Sequence, residues 1–448
     1  MKFTNTTIGV NIPEILLPKK EVSLEKWAVV ACDQYTSQLD YWQEVEDLVG
    51  DSVSTLHMVF PEVYLEQSNG DKRIENINQT MKNYLEAGIL EPQEPGFIYV
   101  ERQVAGNAIR KGIMMAVDLE CYDYTVGSQT LIRATEGTVL DRLPPRIKIR
   151  ENALLESPHI MLLIDDPGKT VIEPLTDQKQ MFEKAYDFQL MKDGGHIAGY
   201  KIETETEIQN VLSALESLAD KEAFCEKYEL SEPKDVLLFA VGDGNHSLAT
   251  AKACWDRIKT SLSAEEKKNH PARYALVEVV NVHDDALVFE PIHRVVFNVD
   301  ATHMQSAMTA YFEKSYIKTF ASMSLVRKAV AQLAQDKNVH CMPFETQQEQ
   351  GLWIVESPKH QLAVGTLQDF IDDYLKKQSE AKVDYIHGDE VVAQLGKQSG
   401  NIGFYLPAMD KHDLFKTVII DGVLPRKTFS MGEAEEKRFY LECKKISL

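Results

Sequence analysis

The sequence predicts a mixed α/β (α+β) protein with more than one domain. Three observations carry this. The chain has 448 residues, more than a single hydrophobic core usually serves. Runs of strand length, rich in apolar and β-branched residues, stop at glycine or polar turns. Amphipathic stretches with helical spacing lie among them, and the two patterns do not alternate as a regular βαβ series would.

In chain order, "WAVVACDQY" predicts a strand from Trp27 to Ala31 that ends in a polar loop at Asp33. "DKRIENINQTMKNYLEAG" predicts a helix, because Ile74, Ile77, Met81 and Leu85 share one face, with Asp71 as its cap and Gly88 as its stop. Strands follow near 97–103, 111–118 and 160–164, then a second helix in "EIQNVLSALESLA". The glycine-rich "KDGGHIAGY" (Lys192 to Tyr200) reads as a plain hairpin ahead of a mobile lid. "RYALVEVVNV" and "LVFEPIHRVVF" read as a strand pair turning at His283 to Asp285. Beyond residue 300 the pattern turns helical, in "MQSAMTAYFEKS", "SLVRKAVAQLAQ" and "LQDFIDDYLKK". The expected division is into segments 1–124, 125–300 and 301–448, with no internal repeat or low-complexity tract.

Composition removes several classes of function. A net charge of −21 repels phosphate backbones and anionic membranes, which argues against a nucleic-acid or membrane-surface partner. No apolar run approaches the roughly 18 residues of a membrane span. The start, "MKFTNTTIGVNIPEILLP", has polar residues and prolines where a signal peptide needs an apolar stretch. Six scattered cysteines without a CxxC pair suit reduced thiols, so a cytoplasmic location is expected.

The segment "VLLFAVGDGNHSLATAKACWDRIK", Val236 to Lys259, carries the most chemistry. A buried strand, a glycine turn and a helix start make an anion site, since amide N–H groups and the helix dipole point at the turn. Gly242 and Gly244 open backbone angles closed to other residues, and Asn245 and Ser247 are candidate caps. Asp243 would repel a phosphate unless a cation intervenes. A Mg²⁺ on Asp243 resolves the conflict and leaves His246 to touch a phosphate oxygen. The other reading of the same residues is a strand–helix connection with Asp243 and Asn245 as turn formers.

"FAVGDGNHSLATAK" resembles the "DGHHRYETA" segment of a large prokaryotic family, domain of unknown function 1015. That family is similar to the ParB/sulfiredoxin superfamily, whose members include free-serine kinases. Here Asn245 stands for the first histidine and Ser247 for the arginine. The resemblance extends along the chain. "IRATEGTVLDRL" matches a "PHExT…DRL" segment at Glu136, Thr138, Asp141 and Arg142. "SPHIMLLIDD" matches "SPIFxLYxD", and "LVFEPIHRVVF" matches "LPTHR" at His293 and Arg294. The C-terminal "VLPRKTFSMGEAEEKRFYLEC" matches "MPxKST" at Lys427 and Thr428, and "VACDQYTSQLDYW" takes the place of "PYDV".

The resemblance implies a ParB/sulfiredoxin-like core near 125–300 with N- and C-terminal α/β segments. It also implies Mg²⁺- and nucleotide-dependent phosphoryl transfer, with ATP or ADP, on a small hydroxy metabolite such as serine. Glu136 would take the substrate hydroxyl proton, with Asp243 and His246 as its catalytic neighbours. Gly242, Gly244, Asn245, Ser247, Thr138, Arg142, His293 and Arg294 would bind the nucleotide, and Asp33, Tyr35, Lys427 and Thr428 the substrate. Read without the resemblance, Glu136 is more readily a surface turn residue beside Gly137, Asp33 to Tyr35 equally an ordinary polar turn, and His293–Arg294 part of a strand network. Two other functions remain open at this point: a phosphoserine phosphatase using water as nucleophile, and a non-catalytic nucleotide-binding switch or scaffold. The expected partners are a small molecule, a nucleotide and, in one reading, a second copy of the chain.

Overall fold

The computed structural model describes residues 4–5, 7–36, 38–65, 69–333, 336 and 338–448. Residues 1–3 and 6 of the opening segment, 37 of "VACDQYTSQLDYW" and 334–335 of the expected "SLVRKAVAQLAQ" helix lie outside the described residues. The chain packs as two units, Met1–Val288 with Met431–Leu448, and Phe289–Ser430. This division differs from the expected three consecutive segments. The boundary near 125 falls within the first unit, and the change of unit precedes residue 300.

The first unit is organised on an eleven-stranded mixed sheet among the described residues. Its main path runs Lys184–Gln189, His196–Ile202, Phe97–Gln103, Ile109–Asp118, Tyr274–Asn281, Met161–Ile164, Phe239–Asp243, Ile132–Ala134, Tyr122–Asp123. The predicted strand pair across residues 274–297 does not form. Tyr274–Asn281 has both edges taken, by Ile109–Asp118 on one side and Met161–Ile164 on the other. All eight of its residues are buried, the pattern of a central strand covered on both faces. Phe289–Phe297 instead belongs to the second unit's sheet, between Lys382–His387 and Asn401–Phe404. Lys192 to Gly195 does turn a hairpin, with Gly195 at a φ of +75°.

The "DKRIENINQTMKNYLEAG" helix spans Gly70–Glu86, and Ile77 and Met81 are buried on its inner face. Asp71 lies inside its first turn and no side chain caps the start. Gly88, at a φ of +59°, follows its end. Trp27 closes a short helix, Leu24–Trp27, so the first strand shrinks to Val29–Val30. In the second unit, helices Ala301–Tyr311, Met323–Leu333 and Ala363–Lys377 accompany an antiparallel sheet. No described helix is long and apolar enough to cross a membrane.

Candidate functional site

The Phe239–Asp243 strand is apolar and buried as far as Val241, then hands over to the Asn245–Ile258 helix through one residue, Gly244. Gly244 takes a φ of +81°, and a Cβ there would stand 3.0 Å from the Ile160 Cα, so the turn needs glycine twice over. A Cβ on Gly242 would press on Leu163 and Met431. Leu248, Ala249, Thr250, Ala251, Cys254 and Trp255 are the helix's buried residues, and Ala249 and Cys254 cluster with Leu143 and Ile147 of the Leu143–Arg150 helix.

Two expected caps do other work. No side chain caps the Asn245–Ile258 helix. Asn245 reaches across to Thr135, accepting from its backbone N–H at 3.3 Å. Thr135 in turn donates to the Val241 carbonyl at 2.6 Å. Ser247 Oγ lies 3.1 Å from His159 Nε2. These contacts follow from parallel pairing of Ile132–Ala134 with Phe239–Asp243. That pairing aligns the carboxyl ends of both strands, so Glu136 and Asp243, distant in sequence, follow strand ends at the same edge of the sheet. Thr138 continues from Glu136, and its Oγ1 is buried without a hydrogen-bond partner among the described residues.

The other wall comes from the chain's two ends. Phe439–Tyr440 pairs antiparallel with Val29–Val30, which sets the C-terminal segment beside Cys32 and Asp33. Buried Arg102 and Arg110 hold the preceding turn by donating to the carbonyls of Glu435 and Glu436, at 2.9 and 3.0 Å. Lys437 leaves that turn with its Nζ 3.4 Å from Asp243 Oδ2 and its side chain 8% exposed. Asp243 Oδ1 accepts from the Gly244 N–H at 3.0 Å. Tyr35 faces Glu435; burial, reinforced by that carboxylate, pushes its phenol up to about 12.

His159 is the centre of this wall. Its Nε2 is 3.6 Å from Asp33 Oδ2 and its Nδ1 is 2.8 Å from the Tyr440 hydroxyl. Burial alone would lower the imidazole, but the charge of Asp33, aided by Asp243 and Glu62, raises it above its ordinary value. Burial alone would raise Asp33, but His159, Gln34 and Lys437 hold its carboxyl well below the usual range. The Tyr440 hydroxyl that meets Nδ1 also donates to Cys32 Sγ at 2.9 Å. Burial, with Asp33 alongside, pushes the Cys32 thiol up, which keeps it neutral and a poor nucleophile.

A cavity of about 160 Å³ opens beside these residues, reached by Ser247, Thr250, His159, Tyr440 and Cys32. Arg146 lines it and pairs with Glu62. Arg142 itself is exposed one helical turn earlier. His246 is half-buried in the first turn of the Asn245–Ile258 helix. Sequence reasoning did not assign His159, Lys437 or Tyr440, although "SPHIMLLIDD" and "GEAEEKRFYLEC" contain them.

His293, Arg294, Lys427 and Thr428 belong to the second unit. His293 accepts from the Leu406 N–H at 3.1 Å through Nδ1 and meets Asp389 at 2.9 Å through Nε2. Arg294 is fully buried and donates to the carbonyls of Ile292, Arg426 and Lys427. Thr428 Oγ1 donates to the Pro425 carbonyl at 2.6 Å.

The chain is similar to solved structures of free serine kinase. The form in complex with AMP is 10% identical, with a TM-score of 0.36, covering 75% of this chain and 92% of that one. A mutant form in complex with ADP is 10% identical with a TM-score of 0.38, covering 75% and 92%. A conserved hypothetical protein from Pyrococcus furiosus is 11% identical with a TM-score of 0.36, covering 75% and 95%. A search of curated proteins finds no match. The profile of DUF1015, proteins of unknown function, matches residues 15–395, and the chain belongs to that family.

Proposed function

We propose that the first unit binds the phosphates of a nucleotide at the Gly242–Ser247 turn and transfers a phosphoryl group to the hydroxyl of a small metabolite. The observation that carries this reading is the Asp243–Lys437 pair at a left-handed glycine turn opening an uncapped helix. Helix-start amides and a buried ammonium favour an anion there. Lys437 supplies the positive charge that Ser247 does not, and Thr138 Oγ1 offers a further donor. His246 contacts a phosphate oxygen from the first helical turn.

Glu136 acts as general base in this reading. The acceptor hydroxyl oxygen forms a bond to the γ-phosphorus as the bond from that phosphorus to the bridging oxygen breaks. The nucleoside diphosphate leaves, and the hydroxyl proton passes to Glu136. Asp243 is one carboxylate with Lys437 already against it. That donor set fits a Mg²⁺ brought in on the nucleotide phosphates rather than a resident ion, since Mg²⁺ is commonly held by one or two carboxylates plus phosphate oxygens. When bound, the ion would neutralise phosphate charge.

The test titrates ATP, ADP, CTP and GTP, with and without Mg²⁺, into the full chain while recording its thermal midpoint. Saturation at 100 times Kd raises stability by about 2.7 kcal/mol. Glu136→Gln keeps the nucleotide response and lowers phosphorylation of a hydroxyl acceptor by about 10²–10⁴-fold. No response to any nucleotide, or equal turnover in wild type and variant, would overturn the reading.

A further inference from the structure

The cavity beside the turn has an unusual balance of charge. Five of its lining side chains can carry charge, and each is paired with another protein group. Glu62 pairs with Arg146, Arg150 with Glu156 at 2.5 Å, and His159 with Asp33. Glu156 is further engaged by Lys444 at 3.3 Å and the Leu276 N–H at 2.8 Å. Much of the remaining wall is apolar: Met58, Phe60, Met81, Leu155 and Ile160 are all buried. Hydroxyl and imidazole groups also line it, on Ser247, Thr250, His159 and Tyr440, with Ser247 and Tyr440 both against His159. Ser247 and Thr250 stand on the first turns of the same helix whose start faces Asp243.

We infer that this cavity receives the phosphoryl acceptor, and that the acceptor is a small uncharged alcohol with an apolar body. This rests on the phosphoryl-transfer reading of the neighbouring turn. A zwitterionic amino acid such as serine would bring an ammonium and a carboxylate into a pocket with no spare opposite charge, and leaving either unpaired there is costly. An alcohol meets the pocket on both counts. Its hydroxyl lies against His159 and Ser247, the latter on the helix that opens at the phosphate turn, and its carbon skeleton lies against Phe60 and the two methionines, whose side chains adapt to shape. Size narrows the class further. An apolar cavity of about 150 Å³ takes up benzene, so 160 Å³ suits a skeleton of about six to eight non-hydrogen atoms.

The experiment measures binding first, so that it does not depend on turnover. Calorimetric titration of the full chain uses ethanol, 3-methylbutanol, cyclohexanol, a ten-carbon alcohol and L-serine, each with and without ADP and Mg²⁺. The expected result is an optimum at 3-methylbutanol or cyclohexanol, bound at least about tenfold more tightly than L-serine because only serine leaves charges unpaired. Ala153→Phe, which fills the cavity wall, should remove the alcohol response and keep the nucleotide response. Should that variant fail to fold, the size optimum in the wild type still decides the matter. Preference for L-serine, or binding that rises with chain length without an optimum, would overturn the inference. Nucleotide binding without any alcohol binding would overturn it too, and leave the phosphate turn standing. Alcohol binding in a protein that ignores nucleotides would support the ligand class and refute the phosphoryl-transfer reading.

Discussion

At His293–Arg294 in the second unit, polar side chains end mostly on the main chain. Arg294 spends its donors on the carbonyls of Ile292, Arg426 and Lys427, and His293 Nδ1 accepts from the Leu406 amide. At Asp243–Ser247 in the first unit, backbone contacts of Asp243 and Asn245 are joined by side chains that end on one another: Asp243 on Lys437, Ser247 on His159, His159 on Asp33. The two buried histidines shift in opposite directions. Burial holds His293 below the usual imidazole range despite Asp389, whereas Asp33 overcomes burial and holds His159 above it. A side chain that satisfies backbone groups fixes a fold. Charges held against each other beside a cavity can be redistributed when a ligand arrives, and that is what a site needs.

Breaking the second region should cost the most. Arg294→Met leaves three carbonyls without their donor in a buried strand, which lowers stability by about 3 kcal/mol or more. Urea unfolding of the full chain measures it, with the ADP response retained by the folded fraction. A loss below about 1 kcal/mol would mean that water or neighbouring groups replace the guanidinium.

A smaller effect, confined to binding, is expected in the first region. Lys437→Met removes the ammonium beside Asp243 and leaves that carboxylate facing the phosphate. Charged hydrogen bonds contribute about 1.5–3 kcal/mol, so the nucleotide Kd should rise about ten- to a hundredfold. Calorimetry on wild type and variant tests this, and an unchanged Kd in a folded variant would remove Lys437 from the site.

The smallest effect is a pH dependence. His159, raised in the folded state, contributes stability that is complete below about pH 6.5 and is lost as pH rises through its folded value. Asp33, lowered in the folded state, contributes stability present above about pH 4 and lost as pH falls through its folded value. The stability difference between wild type and Asp33→Asn should therefore be largest between about pH 4 and 6.5 and shrink on both sides. Thermal midpoints across pH 3 to 9 would show it, and a constant difference would mean that the pair does not titrate as a unit.

The same comparison explains what the sequence makes legible. The strand runs in "RATEGT" and "FAVGDGN", each followed by a turn, are readable locally, but their parallel pairing, which sets both turns at one sheet edge, is not. His159, Lys437 and Tyr440 are not readable in that way. Tyr440 meets Cys32 across 408 residues, through a two-residue strand pair that no local periodicity announces. The failed hairpin at 274–297 has the same cause. Alternation identifies both strands, but the partner each takes depends on which sheet edges are free, and strands far off in sequence occupy both edges of Tyr274–Asn281. The expected caps fail for a third reason: Gly244 already makes the turn with its left-handed backbone, which frees Asn245 and Ser247 to bond across to Thr135 and His159.

The central claim is that phosphate enters at the turn between the Phe239–Asp243 strand and its helix. Amide hydrogen exchange on the full chain, with and without saturating ATP and Mg²⁺, tests it most directly. The account expects slower exchange in peptides covering residues 240–250 and 433–440, and unchanged exchange in 289–297. Unchanged exchange across 240–250, or protection appearing at 289–297 instead, would contradict it.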